Sequence, residues 1–260
     1  MYTKSDILQA LAAMQIDPNG TALIHSSMKA IGDVENGADT ILDACIEYMQ
    51  SGLLIFPTHS WDEGNLPDNV YNPLTEPSCV GILTNLFLQR DGVVRSLHPT
   101  HSVAAIGKEA EAYVAGEENV DTPCPRNGCW GRLYDRNAQI VFMGSPPKSN
   151  TFIHSVEEWN NIPQRLAEQP RHIKIVMFDG SLMDRPLYGH RSPTGDVSQH
   201  YGKLTPAFLA RGIASKGQLG DADCYVCDAV GMGELTTAFL QRNPDLFIDD
   251  TPIPVDWYNN

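Results

Sequence analysis

Two periods alternate along this chain, and that alternation limits the architectures open to it. Short, mainly apolar runs at 21–25, 53–56, 103–106 and 139–143 read as buried strands. Between them, apolar residues recur at helical spacing. Ile7, Leu8, Leu11 and Met14 predict an opening helix capped by Thr3 or Ser5, and Ile41, Leu42, Cys45, Ile46 and Met49 predict a second. Residues 80–89, 151–160, 206–211 and 233–242 also read as helical. A turn at Asp179-Gly180 between 173–178 and 181–183 signals a hairpin. Strands alternating with helices predict an α/β fold: a mixed central sheet with helices on both faces, plus an antiparallel hairpin portion. With no repeats, low-complexity tract or linker, residues 1–260 read as a single domain.

The 42% hydrophobic and 8% aromatic content is enough for a buried core. No apolar run approaches the roughly 18 residues of a membrane span. The first residues run straight into helical spacing without a signal core, so a cytoplasmic location is expected. Lys and Arg number 18 against 32 Asp and Glu, a net −14. That charge argues against nucleic-acid binding, which needs a basic face. It is compatible with a cationic substrate or with ordinary acidic solubility. Cys224 and Cys227 form a CxxC, and Cys124 and Cys129 a second close pair. The spacing admits a zinc or redox site, but the run from Asp223 to Asp228 reads as a packed element. Reduced, buried thiols and no metal are the expectation.

Four polar clusters follow directly after predicted strands, where open α/β sheets place their ligands. In His25-Ser26-Ser27-Met28-Lys29, small hydroxyls and a cation suit an anion, although a plain turn has the same composition. Phe56-Pro57-Thr58-His59-Ser60-Trp61-Asp62-Glu63 packs hydroxyls, an imidazole and two carboxylates at the start of a long polar stretch to residue 77, a candidate substrate wall. Arg95-Ser96-Leu97-His98-Pro99-Thr100-His101 offers a cation and hydroxyl for phosphate or pantetheine; its two histidines also suggest metal, but Pro99 prevents a regular helix. In Asn150-Thr151-Phe152-Ile153-His154-Ser155-Val156-Glu157, His154 and Glu157 fall on one helical face. That pair reads either as a general base with its supporting acid or as a surface ion pair.

In this order the four clusters resemble the aminoglycoside 3-N-acetyltransferase family. The family shows His-Ser-Ser after a strand, then Pro-Thr or Pro-Ser, then Arg-Ser-x-His-Pro, then Asn-Thr-x-x-His-x-x-Glu. Glu76-Pro77-Ser78-Cys79-Val80-Gly81 and Gly131-Arg132-Leu133 add weaker matches. The resemblance covers residues 8–164 well and the remainder loosely.

The resemblance implies acetyl-CoA as donor, a 2-deoxystreptamine aminoglycoside as acceptor, and no metal. It implies His154 as general base, Glu157 as its acid, and Asp62 or Glu63 facing the amine. Ser26, Ser27, Thr58, Arg95, Ser96 and Thr151 match donor-side positions, and Lys29 and His98 are grouped with them. Where the family carries an acid after the C-terminal hairpin, this chain has Tyr188-Gly189-His190-Arg191, so His190 or Asp196 is expected to replace it. Direct transfer is expected, with an acyl-cysteine on Cys129 as the minor route. Acylation of a different, biosynthetic amine, a metal-dependent hydrolase using His98, His101 and His154, and a non-catalytic ligand-binding relative are the alternatives. Which acid assists His154 is open at this level, as is the oligomeric state, a homodimer included.

Overall fold

In the computed structural model the chain is described over residues 1–60 and 67–259. Among the described residues ten strands form: β1 (Thr21–Ser26), β2 (Leu53–Pro57), β3 (Val70–Tyr71), β4 (Val94–Arg95), β5 (Val103–Gly107), β6 (Gln139–Met143), β7 (Arg171–Val176), β8 (Leu182–Leu187), β9 (Ala214–Leu219) and β10 (Ala222–Asp228). The α-helices are α1 (Lys4–Ala13), α2 (Met28–Ile31), α3 (Ala38–Tyr48), α4 (Ile82–Phe87), α5 (Ala110–Val114), α6 (Cys129–Asp135), α7 (Thr151–Trp159), α8 (Thr205–Ala210) and α9 (Ala229–Arg242).

Seven strands build the central sheet in the order β4-β5-β2-β1-β6-β10-β9. The middle three are parallel, β1 pairing with β2 on one side and β6 on the other. Both flanks are antiparallel, β5 on β2 and β10 on β6. Strand residues alternate between two cores, as a pleated sheet covered on both faces requires. Leu23, Leu53, Ile55, Ile140 and Phe142 pack on one face with Trp130 of α6, Phe152 of α7 and Phe239 of α9. Ala22, Ile24, Leu54, Phe56 and Val141 pack on the other with Ile7 of α1, Ile41 of α3 and Leu83 of α4.

Thr3 caps α1 as its sequence suggests, its hydroxyl accepting from Asp6 N and its own N–H donating to the Asp6 carboxylate. The helix expected over 80–89 is shorter, because Gly81 sits at φ +121° as its N-cap. The hairpin at 173–183 forms, but outside the central sheet: β7 and β8 join β3 in a separate three-stranded sheet with its own small core of Tyr71, Leu97, Ile173, Ile175 and Leu187. The CxxC lies on β10, where residues three apart point to opposite faces. Cys224 is buried in one core and Cys227 in the other, so the two cannot chelate one ion. Cys45, Cys124, Cys129, Cys224 and Cys227 are buried thiols outside any disulfide.

The carboxyl ends of β2, β1 and β6 share one edge, and a turn must clear that edge after β6. Gly144 provides it at φ +69°, where an added Cβ would lie 2.7 Å from that of Ala30. Seven residues later α7 begins over the strand tips.

Candidate active site

A cleft of about 730 Å³ opens above these tips. Its walls include His25 and Ser26 from β1, His59 after β2, His101 after β4, and Thr151 and His154 from α7. His190 and Asp196, beyond the small sheet, close the far side. Helix α7 is packed almost all round by Phe152, Ile153, Ser155, Val156 and Glu157. Thr151, His154 and Glu158, spaced i, i+3, i+7, form its stripe toward the cleft side.

His154 does not touch Glu157 directly. The Tyr201 hydroxyl lies 2.7 Å from His154 Nδ1 and donates to Glu157 Oε2 at 2.5 Å. Its one proton is thereby committed, so His154 Nδ1 must carry the hydrogen between ring and phenol. The Nε2 lone pair is left free on the cleft side. Arg165 Nε donates to the other Glu157 oxygen at 2.6 Å, and both members of that ion pair are buried. Burial pushes the Glu157 carboxyl up, against the bonds from Tyr201 and Arg165 that favour its ionised form. Burial also holds His154 well below the usual imidazole range, with neighbouring His190 adding to it, so the ring is neutral at pH 7.

Six of the eight histidines gather at this edge: His25, His59, His98, His101, His154 and His190. His154 and His190 stack with ring centroids 4.0 Å apart. Burial takes His25 and His190 down to about 3 and His59 and His101 well below 6.5. His190 Nε2 lies 2.9 Å from Glu158 Oε1. A buried carboxylic acid holds protons more tightly, and Glu158 is pushed up to about 7.

The sequence-derived residues divide into two sets. Ser26, Thr151, His154 and His190 line the cleft, and Thr151 Oγ1 is 3.1 Å from His59 Nε2. Glu157 lies behind His154. The others expected on the donor side are not among its wall residues. Arg95 is buried and its guanidinium donates to Thr58 O at 2.8 Å, Glu76 O at 2.5 Å, Pro73 O at 3.3 Å and Ser102 Oγ at 3.1 Å. This ties the 73–76 segment to the strand tips and leaves the cation facing protein carbonyls. Thr58 Oγ1 bonds Ser102 Oγ, and Ser96 Oγ accepts from Val103 N. His98 Nδ1 accepts from the N–H groups of Thr100 and His101, and Nε2 faces Thr122 O. With both ring nitrogens engaged, His98 is a poor metal ligand, which weakens the hydrolase reading. Ser27 is the N-cap of α2 and Lys29 is exposed on that helix; neither is among the cleft's wall residues. Asp62 and Glu63 lie outside the described residues.

Cys129, offered as an acyl carrier, is buried with its thiol donating to Tyr113 O, and burial raises it well above the ordinary thiol range. An inaccessible, protonated thiol is a poor nucleophile. Tyr201, Arg165 and Glu158 had no signal of their own in the sequence. Asp196 lines the cleft, as its place beside the hairpin suggests.

Residues 23–241 match the family described as "Aminoglycoside 3-N-acetyltransferase". Aminoglycoside N(3)-acetyltransferase VII of Streptomyces paromomycinus is 24% identical over 270 aligned positions, which cover 92% of each chain. Among solved structures, AAC(3)-IVa in complex with gentamicin has a TM-score of 0.82 at 22% identity, covering 95% of this chain and 91% of that one. AAC-IIIb in binary complex with CoASH has a TM-score of 0.80 at 20% identity, covering 97% and 99%. On the extent of the family match, the chain belongs to the aminoglycoside 3-N-acetyltransferase family, a family of acyltransferases.

Proposed function

We propose that this acetyl-CoA-dependent N-acetyltransferase uses His154 as general base to acylate a primary amine of a cationic amino sugar. The 3-amino group of a 2-deoxystreptamine aminoglycoside is the acceptor the family favours, and AAC(3)-IVa in its gentamicin complex shares the fold. The observation that carries the reading is the committed proton of Tyr201, which leaves a neutral imidazole with a free Nε2 on the wall of a cleft.

As the amine nitrogen approaches the thioester carbon, Nε2 takes its proton. The imidazolium is stabilised through Tyr201 by the Glu157 carboxylate. The proton then passes to the departing CoA sulfur. Positioned base catalysis of this type contributes on the order of 100- to 10,000-fold. Ser26, Thr151 and Lys148 on the cleft wall are the groups we assign to the donor, Lys148 for phosphate and the two hydroxyls for the thioester oxygen. Arg95, Ser96, Thr58 and His98 hold the loops in place instead. We take residues 1–260 to act as one domain, and the five buried, unbridged cysteines support a reducing, cytoplasmic setting.

Thiol release from acetyl-CoA, measured against gentamicin and a series of simple amines, tests acceptor class. Turnover only with amines other than aminoglycosides moves the chain to the biosynthetic reading. His154→Ala is expected to lower kcat on the order of 100-fold or more. Full turnover by that variant ends the base assignment.

A further inference from the structure

Two imidazoles stand side by side at the cleft, and each has its own buried acid. His154 reaches Glu157 through Tyr201, and His190 Nε2 reaches Glu158 at 2.9 Å. Glu158 is held from two more sides, by Cys124 N at 2.9 Å and Thr122 Oγ1 at 2.7 Å. In each ring the nitrogen bonded toward the acid leaves the other without a hydrogen-bond partner among the described residues: Nε2 of His154 and Nδ1 of His190. Both rings line the cleft.

Acylating an ammonium requires the loss of two protons. One must go before the nitrogen has a lone pair, and the second leaves as the N–C bond forms. The departing thiolate takes up one of them. The other needs a separate acceptor that is not the base already engaged at the thioester.

We propose that His190, backed by Glu158, takes the first proton from the acceptor ammonium, and that His154 takes the second. This rests on the acetyl-transfer reading above. In the first step the ammonium gives a proton to His190 Nδ1 while the Nε2 proton passes to the Glu158 carboxylate, leaving a neutral amine, a neutral imidazole and a carboxylic acid. In the second step the amine attacks, the N–C bond forms and the C–S bond breaks. The remaining proton moves through His154 to sulfur, giving amide and CoA thiol. The Glu158 proton returns through His190 to solvent, so one proton is released per turnover.

Storing the first proton on Glu158 avoids two stacked imidazolium rings 4.0 Å apart. Burial suits Glu158 to that task by raising its carboxyl to about 7. The other groups facing the pair are compatible with it. His101 meets the His190 ring edge-on at 5.1 Å, and His98 lies close behind. His98 opposes a lasting charge on His190, whereas Asp196 favours one. Asp121 beside Glu158 favours its protonated form.

The test is the pH dependence of kcat/KM for gentamicin in wild type, His190→Gln and Glu158→Gln. Both variants are expected to lose on the order of 10- to 100-fold near pH 7, the excess of ammonium over free amine for a group titrating one to two units higher. The deficit is expected to shrink toward wild type as pH rises past the amine's own pKa, because the first deprotonation is then supplied by solvent. His154→Ala stays impaired throughout. An equal loss at every pH overturns the second-acceptor role and leaves the base assignment standing, whereas normal turnover by His154→Ala brings down that assignment and this proposal together. A readout independent of the acceptor is ¹⁵N NMR of the His190 ring, identified by its absence in His190→Gln. Nε2–H with a bare Nδ1 at pH 7.5 is the expected tautomer, and Nδ1–H overturns the proposal.

Discussion

His154 and Glu157 sit one helical turn apart, yet their nearest polar atoms are 3.9 Å from each other, and the hydroxyl of Tyr201 bridges the gap. The acid therefore acts on the imidazole through a phenol. That arrangement fixes the tautomer as a direct pair would, since Tyr201 has one proton and Glu157 claims it.

Tyr201→Phe follows directly as a test. Removing the hydroxyl leaves His154 Nδ1 without its acceptor, and the ring loses the bond that keeps Nε2 bare. A fall in kcat of about 10- to 100-fold is expected, below the full worth of a general base. KM for the amine is expected to change little, because Tyr201 is not on the cleft wall. Steady-state kinetics with saturating acetyl-CoA decides it. A rise in KM with kcat intact would mean that the phenol serves binding instead.

How much of this was legible beforehand follows from where each partner lies in the chain. The parallel core of the sheet was readable because β1, β2 and β6 are short apolar runs. Strand β9 was not, since Ala-Ser-Lys-Gly-Gln-Leu at the sheet's edge buries only its ends and shows no period-two signal. His154, Glu157 and Thr151 were readable as one helical stripe and its neighbour. Tyr201 was not, because it comes 47 positions after His154 in a 3₁₀ stretch with no motif of its own. The surroundings of Arg95 were hidden for a related reason. A cation beside Ser96 suits a phosphate in one dimension, but the carbonyls of Pro73, Glu76 and Thr58 that surround it come from distant loops.

Arg95→Gln separates those two readings. If the guanidinium holds loops together, the variant loses several buried charge-assisted hydrogen bonds, typically about 1.5–3 kcal/mol for each such group. The urea midpoint is expected to fall accordingly. KM for acetyl-CoA, measured on the folded fraction below the transition, is expected to stay near that of wild type. A selective rise in that KM with stability unchanged would restore the phosphate-contact reading.

The histidine cluster makes the fold sensitive to acid. His25 and His190 are held down to about 3, and His59, His101 and His154 well below 6.5, by burial. Between those values and 6.5 the unfolded chain binds protons that the native state refuses, so stability rises with pH across that window and is lost as pH falls through it. Each group contributes at most about 1.4 kcal/mol per pH unit. Glu158 works the other way, because its carboxyl, raised to about 7, binds more protons in the native state between 4.5 and 7. Glu157 and Glu76, also raised, oppose in the same sense. Five imidazoles outweigh three carboxyls in the overlap. The thermal midpoint is therefore expected to fall steadily from pH 6.5 to 4.5, with net proton uptake on unfolding. A calorimetric series over that range is the check, and a midpoint that held level or rose would show that the imidazoles are charged, and so solvated, in the native state.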